Sequence, residues 1–490
     1  MPKSVYDNFL GGLSSSDRYG GINQYYAGRE LDPHRSIGYL SPGLSAVALT
    51  NENILTDLIV DMTVMNITTG QEYVYAIQAG PSSTNIKIHR IAIASDTITN
   101  DTAGTGFPHT IAASGSPGQG IVWYKDYFYY IYGNRIGQGE PAGAFTDSFY
   151  TLIYNWNPNP YLIWNDYLWI GDGESMAKFD GTSWTNPAFS LPAEWQITAL
   201  FPTRNYIGIC AWAPGVLGTG SSPQGSYWTE SAVFFWDGAS TAFAYKINLG
   251  CNKIVNAINL NGTIYLFTEG GQTAGNLEIL TELGSERVAQ LRHDLSGTLT
   301  SFTCPQKLGG VDIWNNRLLF GLGNYTFIMS YGRDNTGYPL ALTIPWALTG
   351  AAGEVGCVKN VANDKFYVAS KVNTTYYLRK FSSGNSATAV YKGLYRDMGQ
   401  KIRINYIKFY FKPLVSGDTA TVSMDIDYGT SISPKSRAGS STISYNEDGA
   451  ITSKRFEVQM KCHSFRPVLT NTTISLSKII IDYDYLPDDI

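Results

Sequence analysis

The chain has 490 residues, 43% of them apolar and only 15% charged, with 34 Tyr, 50 Gly and 11 Trp and a formal net charge of −5. That length exceeds one ordinary core, and the mixture suits many short strands with tight turns better than long solvated helices, so an all-β fold is expected. No Lys/Arg run or basic tail occurs, which leaves no electrostatic footprint for a nucleic-acid backbone and disfavours direct nucleic-acid binding.

The first residues, MPKSVYDNFLGGLSSSDRYGG, lack the apolar core of a signal peptide, and no run of 18 apolar residues occurs anywhere. The expectation is a soluble chain with no membrane-spanning segment, not exported by the usual route. Residues 1–53 have little periodicity and many turn formers, among them Gly11-Gly12, Gly20-Gly21, Asp32-Pro33 and Ser41-Pro42-Gly43. A segment with no core of its own lies across another surface, so this stretch reads as an extended arm, laid on its own chain or on a neighbour. Phe9, Leu13, Tyr25, Tyr26, Leu31, Tyr39 and Leu40 are its anchors.

From residue 54 the strand signal begins. LIVDMTVMNITTGQEYVYAIQAG (58–80) gives two β runs around Gly70-Gln71, and NIKIHRIAI (85–93) a third. Similar strand-turn-strand units follow, turning at Lys125-Asp126, Asn165-Asp166, Arg204-Asn205, Asn261-Gly262, Asn315-Asn316 and Asn363-Asp364. Asn, Asp and Gly tolerate the positive φ that two-residue hairpin turns require. The turns recur every 39 to 57 residues, about 49 on average, the size of one four-stranded propeller blade.

A second element supports the alignment. Phe179-Asp180-Gly181-Thr182-Ser183-Trp184 is echoed at Phe235 to Ser240 and more faintly at Phe381 to Asn385, where it would join the outer two strands of a blade. The irregular spacing implies insertions at Ala213 to Gln224 and Gly270 to Arg287, the second running into NLEILTELGSERVAQL (276–291), which reads as a short helix. The fold expected over 54–396 is an irregular β-propeller of about seven blades, or six if strands near 387–396 complete the same blade as 58–93. From 397 the strands lengthen and alternate cleanly, at 401–412, 419–427, 454–462 and 472–485, with a Gly/Ser/Pro-rich loop at 429–441. Residues 397–490 are therefore read as a separate β-sandwich.

Chemistry is sparse. His34, His89, His109, His293 and His463 are scattered, without metal-ligand spacing, and read as ordinary surface or core histidines. Cys210, Cys251, Cys304, Cys357 and Cys462 include no C-x-x-C pair and read as buried small hydrophobes of a reducing compartment. Six N-x-[ST] triplets, at Asn66, Asn100, Asn261, Asn324, Asn373 and Asn471, follow from Thr-rich strands joined by Asn turns. The signatures G-x-S-x-G, G-x-x-x-x-G-K-[ST] and H-E-x-x-H are all missing.

Asp166, Asp172 and Glu174 could supply the carboxylate pair of a glycosidase, yet they sit in or beside turns, where acids serve solvation and Asx hydrogen bonds. FDGTSW differs from the Asp box of sialidases because Asp180 and Gly181 are adjacent. Asp482, Asp484 and Asp488-Asp489 offer oxygen ligands for Ca²⁺, but Asp482 and Asp484 read better as a solvated strand face. Tyr127, Tyr129, Tyr130, Tyr132, Trp164 and Trp169 could stack sugars, though at strand spacing they suit the space between blades. No catalytic, metal or cofactor-binding residue is assigned, and no cofactor is expected.

The stretch NFLGGLSSSDRYGGINQYYAGRELDPHRSIGYLSPG, the irregular blades with FDGTSW-type turns and the strand-rich terminal domain together resemble virion structural proteins of tailed bacteriophages. The resemblance implies a non-enzymatic tail or neck component, assembled in the host cytoplasm and resident in the virion. Its partners would be other virion proteins and copies of itself, in a symmetric assembly made through the arm and exposed loops, with host surface glycan a further partner. The alternative is a carbohydrate-binding or glycan-cleaving propeller, with a scaffold unrelated to viruses as a third reading.

Overall fold

The computed structural model describes residues 2–7, 12–13, 24–25, 27–29, 31–36, 39–66, 72–80, 86–100, 104, 106–112, 116–155, 158–213, 230–250, 253–270, 274–291, 307–322, 325–331, 340–347, 353–362, 365–382, 386 and 389–486. Among them the structure is nearly all β, and its one α-helix is the four-residue turn Tyr445–Asp448.

Seven antiparallel sheets form a β-propeller in chain order: blade 1 (59–111), blade 2 (118–151), blade 3 (161–190), blade 4 (196–250), blade 5 (253–291), blade 6 (311–347) and blade 7 (353–381 with 46–48). Six are four-stranded. Blade 1 has five strands because its outer position is shared by Thr97–Ile98 and His109–Ile111, which pair with opposite ends of Ile86–Ala92. The first strand of each blade packs on the first strand of the next, and Gly353–Ala362 of blade 7 packs on Ile59–Asn66 of blade 1, closing the ring.

The turns do what their residues suggest. Asn165 (φ 49°) and Asp166 (φ 64°), Asn261 (φ 53°) and Gly262 (φ 88°), and Asn315 (φ 48°) and Asn316 (φ 60°) all adopt the left-handed region between a blade's first two strands. Lys125-Asp126 takes the same place in blade 2. The Arg204-Asn205 connection is wider, held by the Thr203 amide donating to the Tyr206 carbonyl at 2.9 Å. Gly70-Gln71 and Asn363-Asp364 lie outside the described residues.

Each blade buries both faces, because alternate residues of a strand point to opposite sides. Tyr130 and Tyr132 pack with Tyr75 and Phe107 between blades 1 and 2, whereas Tyr129 packs with Phe179 between blades 2 and 3. Trp164 and Trp169 join Trp236 between blades 3 and 4, with Trp169 edge-on to Trp236 at 5.2 Å. These aromatics fill the blade interfaces.

Three segments differ from the sequence reading. Residues 276–291 form no helix: Ala274–Thr281 and Gly284–Leu291 are the third and fourth strands of blade 5, with Leu277 buried and the turn made by Glu282-Leu283. The strand at Ala389–Lys392 does not complete the blade of 58–93, and blade 7 closes without it. Its outer strand is Ala46–Ala48, which pairs with Thr375–Phe381, while Ala389–Lys392 pairs with Ala27–Arg29 and with the long strand Ser453–Thr472. The boundaries at 53 and 396 are thus crossed by one strand each.

The C-terminal unit is built on one sheet. Ser453–Thr472 runs through it, pairing along its first half with Arg396–Phe411 and along its second with Thr419–Ile426. It bends at a bulge where Gln459 has a φ of 51°. Ile404, Ile407, Val422, Met424, Phe456 and Phe465 fill the space enclosed. The arm finishes this sheet: Lys3–Asp7 pairs with Leu476–Tyr485, and Leu40 sits opposite Leu476. Tyr6, Leu31 and Leu40 are buried in an apolar cluster that continues into Tyr265, Phe267 and Phe320 of blades 5 and 6. The other anchors expected of the arm, Phe9, Leu13, Tyr25, Tyr26 and Tyr39, lie outside the described side chains.

Candidate functional site

Polar side chains inside the propeller fall on the junctions between blades, where an edge of the innermost strand would otherwise lack partners. Asp61 of blade 1 accepts the Ile121 amide of blade 2 at 2.9 Å, and Thr63 accepts that of Trp123 at 2.9 Å. Gln119 of blade 2 accepts the Asn159 amide at 2.8 Å at the start of blade 3. Trp164 donates to the Thr203 carbonyl at 3.0 Å, Asn259 to Pro202 at 2.7 Å and Asn256 to Lys307 at 3.2 Å, stepping through blades 3 to 6. Asp312 of blade 6 accepts the Asn360 amide of blade 7 at 2.8 Å. The last junction, blade 7 to blade 1, is ionic: Asp96 holds Lys365 at 2.7 Å, Lys380 at 2.6 Å and the Tyr367 hydroxyl at 2.5 Å.

The 3₁₀ turn Leu308–Gly310, entering blade 6, packs against the first strands of blades 7, 1 and 2 and plugs the ring where they converge. A Cβ on Gly309 would stand 2.7 Å from the Asp61 Cα and 2.6 Å from the Cys357 sulfur, and one on Gly120 would stand 2.9 Å from Leu308. Only glycine permits such an approach. Beside the plug remains a cavity of about 150 Å³ lined by Asp61, Tyr161, Thr198, Asn256 and Lys359 together with Pro160, Leu200 and Val358.

The charges at this centre are strongly perturbed. Asp61 is 2% exposed, and burial lifts its carboxyl to about 6, against the opposing pull of the Tyr161 hydroxyl at 2.5 Å, nearby Lys359 and the amides of Ile121 and Met62. Burial also pushes Tyr161 and Cys357 well above their ordinary values. For Lys359 burial works against the charge, but Asp312, Asp61 and Cys357 outweigh it and raise its pKa. Its ammonium is 3.5 Å from Asp312. Sequence inspection missed this group because its members are spread from residue 61 to residue 359 and carry no motif. The one signal was an acid or amide at the middle of an inner strand, in Asp61, Asn256 and Asp312.

The residues singled out in the sequence are not brought together. Asp172 is fully buried and accepts the amides of Ile153 at 2.7 Å and Tyr154 at 2.8 Å, tying the blade 2–3 connection to blade 3. Glu174 accepts the Tyr154 hydroxyl at 3.1 Å, and Asp166 projects into solvent 3.6 Å from Lys125. Asp180 accepts the amides of Thr182 and Ser183, each at 2.7 Å, and these bonds with both hydroxyls hold its carboxyl far below the usual range. Asp237 repeats the arrangement with Ser240 and Ala239, and its carboxyl is drawn down to about 2.

Asp482 is no solvated face: it is 2% exposed, because the arm strand pairs beside it and Asn405 donates to both Asp482 at 3.0 Å and Asp484 at 2.9 Å. Asp488-Asp489 lies outside the described residues. His89 is buried between blades, and burial, with Lys87, drives its imidazole down to about 3, so it is neutral. His109 stacks on Phe145 at 3.7 Å and meets Asp147 at 2.7 Å. His463 is exposed, near Asp427. Cys210, Cys357 and Cys462 are buried free thiols, while Cys251, Cys304 and His293 fall outside the described residues, as does the His34 side chain. Among the described residues no three His, Cys, Asp or Glu side chains converge as a metal site, and no helix is long and apolar enough to cross a membrane.

No known protein family matches the chain, and no curated protein does. Among solved structures it is similar to the extracellular domain of a protein described as a hybrid two-component system of B. thetaiotaomicron. That similarity has 12% identity and a TM-score of 0.44, over 76% of this chain and 44% of that one. It is similar also to Raptor of Chaetomium thermophilum, at 8% identity and a TM-score of 0.43, over 70% of this chain and 30% of that one. The computationally designed Ika8 protein matches at 10% identity and a TM-score of 0.38, over 70% of this chain and all of the design. The chain spans less than half the length of the two natural proteins. The propeller itself is read from strand pairing.

Proposed function

We propose that this chain is a non-enzymatic structural component of a bacteriophage virion, part of a tail or neck. The observation that carries the non-enzymatic half is the employment of its acids: Asp61, Asp96, Asp172, Asp180, Asp237 and Asp312 all accept backbone amides or hold lysines within the framework. A carboxylate so occupied is a poor general base, since its lone pairs already face fixed donors. The virion half rests on the sequence resemblance. It is supported by an architecture whose arm and last blade fasten two units into one body, suited to bearing load within an assembly. Because the described arm strands pair within the chain, the assembly surfaces under this reading are the exposed loops. Electron microscopy of the purified chain at high concentration tests it: rings, stacks or filaments are expected. A strictly monomeric species that hydrolyses polysaccharide would overturn it.

A further inference from the structure

We infer that the cavity at the propeller axis is a binding site for a small neutral polyhydroxyl group, of the size of glycerol or the terminal diol of a larger sugar alcohol. This goes beyond the structural role proposed above.

Lys359 stands in the cavity wall. Its ammonium carries three donors, and its ion pair among the described residues is the loose one to Asp312, 3.5 Å away. The side chain lines the cavity and is 28% exposed. A half-buried ammonium with one loose ion pair has donors to spare, and the cavity it lines is where acceptor oxygens can stand.

Charge balance then selects the class. Lys359 contributes one positive charge, while Asp61 in the lining and Asp312 behind it each bring a carboxylate, so the surroundings give no net attraction for an anion. A cation would meet the ammonium. Hydroxyl groups satisfy both sides, accepting from Lys359 and donating to Asp61. The Asp61 carboxylate takes two amides and the Tyr161 hydroxyl, three of its roughly four lone-pair sites.

Size and shape agree. A cavity of about 150 Å³ holds a molecule of roughly six heavy atoms, the number in glycerol. Pro160, Leu200, Ala257 and Val358 supply apolar wall for the carbon backbone.

The test uses the full chain and saturation-transfer NMR with glycerol as the probe, with acetate and glycine as the charged controls. Saturation transfer to glycerol is expected from the wild type, and the acetate and glycine signals should be weaker. Lys359→Met should reduce the glycerol response at least tenfold. Ala257→Leu, which fills the cavity and leaves Lys359 in place, should abolish it. No transfer from the wild type would overturn the assignment whatever the variants do. An undiminished response in both variants would overturn it too, as would acetate or glycine binding in preference to glycerol.

Discussion

Replacing Asp61 by Asn probes the centre of the ring through its pH dependence. Burial lifts the Asp61 carboxyl to about 6 from 3.8. In the unfolded chain it loses its proton near pH 4. Between these values the unfolded chain is ionised while the folded protein still holds the proton, so unfolding releases a proton and stability falls as pH rises. Below pH 4 both states are protonated and the contribution is complete; above about pH 6 it is lost. Two pH units at about 1.4 kcal/mol each give a decline of about 3 kcal/mol in wild type relative to Asp61→Asn. The assay is urea unfolding of both proteins at pH 4, 5, 6, 7 and 8, followed by tryptophan fluorescence. The stability difference should slope downward from pH 4 to near 6 and then run flat. A difference independent of pH, or one rising with pH, would refute the placement of Asp61 as a desolvated carboxylate.

Gly309→Ala places a methyl group against the backbone of Asp61 and the sulfur of Cys357. It should cost about 1–3 kcal/mol by overpacking, measured as a lowered urea midpoint. Trp236→Ala removes a side chain 1% exposed between blades 3 and 4, at a cost of about 3–5 kcal/mol in the same assay. At the ring closure, burial opposes the Asp96 charge but hydrogen bonds from Lys365, Lys380 and Tyr367 prevail and lower its pKa. Its contribution is therefore present above the ordinary carboxylate pKa and lost as pH falls through the folded value. Asp96→Asn should be less stable than wild type at pH 7, with the gap closing in acid. Deleting residues 1–50 should expose apolar surface, read as increased dye binding and aggregation, since Tyr6, Leu31 and Leu40 leave a shared core.

The propeller was legible because its information is local. A two-residue turn such as Asn165-Asp166 is specified by residues that accept positive φ, and the Asp180 turn by a carboxylate with amides two and three residues on. Both lie within a few positions of sequence. Blade 5 shows where local reading fails: NLEILTELGSERVAQL carries good helix formers, yet its neighbours offer a sheet edge that outweighs propensity. The axial group was illegible for a different reason. Asp61, Tyr161 and Lys359 meet only because each inner strand delivers one residue to the axis, and nothing in the spacing of 100 or 200 residues announces that meeting.

The arm changes what counts as a unit in this chain. Blade 7 has three strands of its own, and without Ala46–Ala48 the strand Thr375–Phe381 would be an open edge. In the C-terminal sheet Leu476–Tyr485 pairs with Arg396–Phe411 and Ala389–Lys392 with Ser453–Thr472, and the other edge of each stays open until Lys3–Asp7 and Ala27–Arg29 arrive. One N-terminal segment thus completes both units, so each is unfinished alone. Pairing Lys3 with Asp482 also joins segments 479 residues apart in sequence, a contact whose closure entropy rises with loop length. The propeller, the arm and the terminal sheet should therefore unfold as one cooperative body, and the edges that the arm covers are the surfaces most prone to mispairing before it docks.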